Sequence, residues 1–153
     1  MERLSTMPRL RMHLEHYDES HRKLGNKLLH FVGIPLLLIS FLGLLSKLSL
    51  NSGAEMPALR PNAAWIVLIG AALWYIWLAW RIGFLTIALW AICYVLGSEV
   101  PAGQLAILFG IGVVAHVIGH YAIERKPPAV LSRPVAVLEA PVWLVAICAG
   151  LYR

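Results

Sequence analysis

Charge is scarce in this chain. Asp, Glu, Lys and Arg make up 14% of its 153 residues, while 59% are hydrophobic. Soluble domains carry about 25% charged residues, and one domain of this length cannot hide so much apolar surface. The composition therefore points to an all-α integral membrane protein. Cysteine is scarce too. Cys93 and Cys148 each sit inside an apolar run and form no CxxC pair, which excludes a disulfide framework and a thiolate zinc site. The chain has no P-loop, no G-x-G-x-x-G run and no nucleophile elbow. Ser20, beside His21, has no sign of an oxyanion site around it. No internal repeat or low-complexity stretch stands out. The polar N-terminal stretch lacks the early apolar core of a secretory signal peptide. The net charge of +5 would suit nucleic acid, but the basic residues flank apolar runs and form no patch with interleaved aromatics. They read as topology determinants and as anchors for anionic lipid headgroups, so membrane lipid is an expected partner and nucleic acid is not.

The hydrophobic pattern predicts a single membrane domain over 1–153, with four to five transmembrane helices and an N-terminal interfacial amphipathic helix. Residues 1–27 form the interfacial part, where Leu10, Leu14 and Tyr17 are spaced by four and three. Spans are expected at about 28–45, 63–80, 82–98, 104–123 and 135–152. Gly33 and Pro35 interrupt the first near its start, and a polar loop over 46–62 follows it. Arg81 separates the second from the third. The fifth spans or re-enters, because Glu139 and Pro141 interrupt it. The tryptophans of the second run, Trp65, Trp74, Trp77 and Trp80, read as an aromatic belt.

Charge asymmetry supports this layout. With the N-terminus in the cytoplasm, ten of the thirteen lysines and arginines fall on the cytoplasmic side; Lys47, Arg60 and Arg153 fall on the other. The start of the first span and the end of the fourth then share one face. A continuous helix over 63–97 would separate them.

Both of those ends carry histidine. His116, His120 and Glu124 sit at i, i+4 and i+8, one stripe of an α-helix. His21, Asn26 and His30 form the second set, with Tyr17 four residues before His21. Imidazoles in an apolar run are costly and mark functional sites. The two stretches are expected to meet and bind one metal ion at the cytoplasmic face. Glu124 reads as a ligand, a base, a partner orienting an imidazole, or an interfacial charge paired with Arg22 or Arg125. Asn26 is placed to hold a histidine tautomer. His13 and His16 read as solvated interfacial residues. Four histidines without cysteine suit iron, zinc or copper, and chemistry on an apolar substrate at a membrane face favours iron. Other readings are a membrane haem protein with histidine axial ligands for electron transfer, a non-catalytic metal-binding or transport protein, and a scaffold with structural histidines. A hydroxylase or desaturase of the eight-histidine kind is disfavoured, since the chain has six.

The run Tyr17-x3-His21-x4-Asn26-x3-His30-x2-Gly33-Ile34-Pro35, followed by His116-x3-His120-x3-Glu124-Arg125-Lys126-x-Pro128-Ala129, resembles the 2-hydroxy fatty acid dioxygenase family, known from fungi and bacteria. The resemblance runs from about Tyr17 to Pro141; Pro127 departs from it, standing where the family usually has a basic residue. It implies an Fe(2+)-dependent enzyme of fatty acid α-oxidation that consumes O2 and shortens a 2-hydroxy fatty acid by one carbon. It also implies that His21, His30, His116 and His120 are the metal ligands or are essential to iron binding. Glu124, Asn26 and Tyr17, singled out by their spacing beside these histidines, are the candidate catalytic residues. A bacterial inner-membrane location fits this reading. A 2-hydroxy acid chelates iron through its hydroxyl and a carboxylate oxygen. Arg22, Lys23, Arg125 and Lys126 are the candidates to pair with the substrate carboxylate. Four permanent imidazole ligands would crowd an octahedral site that must also admit substrate and O2. Neither acyl chain length nor oligomeric state is legible.

Overall fold

A computed structural model describes residues 7–48, 57–59 and 61–151. Much of the expected 46–62 loop lies outside the described residues, as do Arg60, Tyr152 and Arg153. The chain is all helical, and no strand occurs among the described residues. The helices are α1 (Pro8–Asp18), α2 (Leu24–Ser46), α3 (Ala63–Glu99), α4 (Ala102–Val117) and α5 (Ala136–Cys148). A π-helical stretch, Ile118–Glu124, continues α4 without a break. Among the described residues three helices are long and apolar enough to cross a membrane: Leu24–Ser46, Ala63–Glu99 and Ala102–Glu124.

α3 is a hairpin. A straight helix of 37 residues would extend about 55 Å, with its ends far apart. Instead the backbone leaves helical geometry at Ala79 (φ −166°, ψ 98°) and the chain folds back on itself. Asn62 Nδ2 and Trp65 Nε1, near the start, donate to the Tyr94 hydroxyl near the end, at 2.8 and 2.9 Å. Next to the bend, Gly83 lies so close to Tyr75 that a Cβ would sit 2.5 Å from the Tyr75 carbonyl oxygen. The reversal falls two residues before Arg81, the break expected from charge. Its consequence is the one the histidine argument needs: both ends of α3 lie at the same end of the bundle, away from the bend.

α2 packs between α3 and α4. Gly43 and Gly97 let α2 and the second arm of α3 touch backbone to backbone; a Cβ on Gly43 would lie 2.6 Å from the Gly97 carbonyl. Such small-residue contacts suit helices packing in lipid, where van der Waals closeness drives association. Pro35 is accommodated inside α2.

α1 buries Leu10, Leu14 and Tyr17, the expected stripe. The stripe faces protein: Tyr17 and Trp143 of α5 have ring centroids 5.3 Å apart. α5 has 13 residues and so extends about 20 Å, short of a bilayer's ~30 Å hydrocarbon core. The 135–152 segment, expected to span or re-enter, holds this shorter apolar helix, which is not one of the three long enough to cross. Gly150, at φ 65°, turns the chain, and the Leu151 and Gly150 amides close back on Ala146 and Ile147. Glu139 does not break this helix; it occupies the first turn, where a carboxylate is favoured. Its side chain is wholly buried, accepting from Arg133 and paired with His13 Nδ1 at 2.7 Å. His13, expected in solvent, is instead partly buried against Glu139 and Trp74. His16 is exposed, as expected.

Candidate metal centre

The loop between α1 and α2, the second turn of α2 and the π-helix converge on one buried cluster. His21, His30 and His120 are 1%, 1% and 3% exposed. Each offers a ring nitrogen within 4.8 Å of the others, so the three could hold one metal ion.

The surrounding carbonyls fix the imidazoles. His21 Nδ1 lies 2.7 Å from the Tyr17 carbonyl, and His30 Nδ1 lies 2.9 Å from the Asn26 carbonyl. A carbonyl only accepts, so each Nδ1 carries the proton and donates. In the neutral rings both Nε2 atoms are then bare acceptors, and they face each other at 3.1 Å. Burial keeps His21 neutral: it pushes the imidazole pKa down to about 4, against a smaller upward pull from the Tyr17 carbonyl. Two lone pairs facing at that distance repel unless a positive centre lies between them. Two nitrogens bound to one ion at 2.0–2.1 Å would stand roughly 3.0–3.4 Å apart. His120 adds a buried Nδ1 with no partner. The donor set thus fits a metal on both geometry and unsatisfied valence. The same 3.1 Å gap leaves no room for a haem macrocycle between His21 and His30.

His116 stands apart from the three. Its ring packs on His30 at 4.1 Å between centroids, and its Nδ1 donates to the Gly112 carbonyl at 2.9 Å. It is only partly buried, unlike the other three. Gly33 makes room for it: a Cβ there would lie 2.7 Å from His116 Cε1. Gly33, read in the sequence as a helix interruption, is therefore the space in which His116 sits. Its position three residues after His30, on the same face, was the available signal. Gly119 does the same for Asn26, whose side chain would clash with a Cβ at that position.

The single stripe His116–His120–Glu124 is corrected by the π-helix. Its i→i+5 bonding widens the turn and rotates later residues off the α-helical face, a feature common at functional sites. His120 meets His21 and His30, the His116 ring packs on His30, and Glu124 is carried to the neighbouring loop. There its two oxygens accept from the backbone N–H groups of Arg22 and Lys23, each at 3.0 Å, and from Asn26 Nδ2 at 3.4 Å. The partners are backbone amides at the start of α2, not the Arg22 or Arg125 guanidinium. Arg125 ends the π-helix in the left-handed region (φ 59°), and the Lys126 amide closes on the His120 carbonyl at 3.1 Å.

Tyr17 stacks on His21, with centroids 4.0 Å apart and planes 12° apart. Burial, followed by the nearby Glu139 and Asp18 charges, pushes its phenol pKa far up, so it stays protonated. Asn26 donates to the Ser20 carbonyl and to Glu124, while its Oδ1 is buried without a partner. All four candidate cations are exposed at this end of the bundle. Lys23 Nζ donates to the Ile123 carbonyl at 2.6 Å and Lys126 Nζ to the Glu19 carbonyl at 3.3 Å. Among the described residues, the Arg22 and Arg125 side chains have no such bond.

The family described as 2-hydroxy-palmitic acid dioxygenase Mpo1-like matches residues 7–151. No curated protein and no solved structure matches the chain.

Proposed function

The chain belongs to the 2-hydroxy-palmitic acid dioxygenase Mpo1-like family, and we propose that it is an iron(II)-dependent dioxygenase that shortens 2-hydroxy fatty acids by one carbon with O2. The carrying observation is the pair of bare Nε2 atoms of His21 and His30 beside the unpartnered Nδ1 of His120. His21, His30 and His120 would hold the iron. When bound, it would supply oxygen activation and a chelating centre for the hydroxyl and carboxylate of the substrate. Three protein ligands leave positions open for both, which relieves the crowding that four imidazoles would impose. The Tyr17 and Asn26 carbonyls hold two rings in the ligating tautomer. Glu124, with both oxygens on backbone amides, clamps the loop that carries His21. The partly exposed His116 stands beside His30 as a proton donor or acceptor toward bound substrate. Arg22 and Arg125, without carbonyl partners among the described residues, are the preferred cations for the substrate carboxylate.

We further propose a single membrane domain with four crossings: α2, the two arms of α3, and α4 with its π-helix. Ten of the thirteen Lys and Arg residues would then be cytoplasmic, with the histidine centre at that face of a bacterial inner membrane. The test is metal analysis of protein purified without added metal, followed by oxygen uptake with 2-hydroxypalmitate. About one iron per chain, lost in His120→Ala, with substrate-dependent uptake supports the reading. An iron-free protein under conditions that retain weakly bound metal, or iron without uptake, refutes it.

A further inference from the structure

A cavity of about 690 Å³ opens where α1 begins and α3 reverses, within the range of small-molecule sites. Arg9 of α1 and Arg81 of α3 converge on it, each over an indole: Arg9 at 4.7 Å from the Trp77 ring and Arg81 at 5.0 Å from the Trp80 ring. These cation–π contacts hold the guanidiniums in place at little further entropic cost. Among the described residues no Asp or Glu lines the cavity. Among the described residues Arg9 reaches only the Trp77 carbonyl, at a long 3.5 Å. Among the described residues Arg81 has no hydrogen bond or ion pair. Two oriented cations from separate elements therefore face one cavity, with no anion beside them among the described residues.

The apolar surroundings are directional. Ile66, Ile69, Leu73 and Ile76 are exposed and spaced as one stripe of the first arm. The stripe runs the length of that arm and ends at the cavity. An acyl chain lying on it would bring its head to the two arginines. We propose that this cavity binds an anionic amphiphile, with its phosphate or carboxylate head between Arg9 and Arg81 and its chain along the Ile66–Ile76 stripe. Bound there, the head bridges α1 to α3. α1 also carries Tyr17, so occupancy steadies the helix that stacks on His21.

The test uses full-length protein in phosphatidylcholine nanodiscs, with isotopically labelled phosphatidylglycerol or palmitate titrated in and bound label counted per chain. Wild type is compared with the Arg9→Gln/Arg81→Gln double variant and with the Arg9→Lys/Arg81→Lys pair. Both arginines are exposed, and metal content checks that the variants are folded. We expect saturable binding of one labelled lipid per wild-type chain. The double Gln variant should bind about thirty-fold more weakly, from the worth of two cations near an anionic surface. The Lys pair should recover part of that loss. Saturation by phosphatidylglycerol identifies a phospholipid head, and saturation by palmitate alone identifies a fatty acid. Absence of saturable binding by either, or equal affinity in the double Gln variant, overturns the proposal.

Discussion

Substituting Glu124 by Gln separates a clamp from a base. Its carboxylate accepts from the Arg22 and Lys23 amides at 3.0 Å each. A hydrogen bond to a charged acceptor contributes about 1.5–3 kcal/mol, a neutral one about 1. A glutamine keeps one oxygen acceptor and turns its NH2 toward the other amide. One charged bond is then lost, the other becomes neutral, and an N–H is left facing a donor. The favourable placement of a negative charge at the start of α2 disappears as well. The expected destabilisation is about 3 kcal/mol, concentrated on the loop that presents His21. Loss of such a support commonly costs 10–100-fold in metal affinity. Thermal unfolding in detergent and competitive metal titration should therefore both shift, and turnover of the metal-saturated variant should be largely retained. A Gln variant with wild-type stability and metal affinity but no turnover would refute the clamp and return Glu124 to the role of base.

Gly33→Ala should keep its metal while losing up to roughly 10²-fold in kcat, because the new methyl occupies the place of the His116 ring; metal loss together with activity would show that His116 is itself a ligand. Arg125→Gly should raise stability by about 1 kcal/mol, since the left-handed conformation at that position is costly for a side chain; equal or lower unfolding temperature would mean that the guanidinium has a structural partner. Metal-free protein should lose stability on acidification. The His21 pKa is lowered from 6.5 in the unfolded chain to about 4 in the fold, so the unfolded state binds the extra proton. Stability is full above pH 6.5 and falls through the window from 6.5 to 4, by about 3 kcal/mol for this group. A flat unfolding temperature over that window would refute the buried neutral assignment.

Amino-acid order alone determined much of this protein. Scarce charge and long apolar runs dictate helices long and apolar enough to cross a membrane, because a backbone in lipid must satisfy its own hydrogen bonds. The spacing of Leu10, Leu14 and Tyr17 fixes the buried face of α1. A charged Arg81 between two apolar runs announces the reversal, and with it the meeting of His21 and His30 with His120. The family resemblance rested on the two histidine blocks, Tyr17 to Pro35 and His116 to Ala129, and the family match extends over 7–151.

Other features only the tertiary structure decided. Nothing local distinguishes a π-turn from an α-turn at Ile118–Glu124, yet it is at the end of that π-turn that Glu124 meets the Arg22 and Lys23 amides. The burial of Glu139 depends on His13 and Arg133 arriving from elsewhere in the chain. The tautomers of His21 and His30 depend on carbonyls whose directions are set by backbone geometry. Periodicity assigns a residue to a face of its own helix. Which partner waits at that face is a property of distance between elements, and that is settled only when they pack.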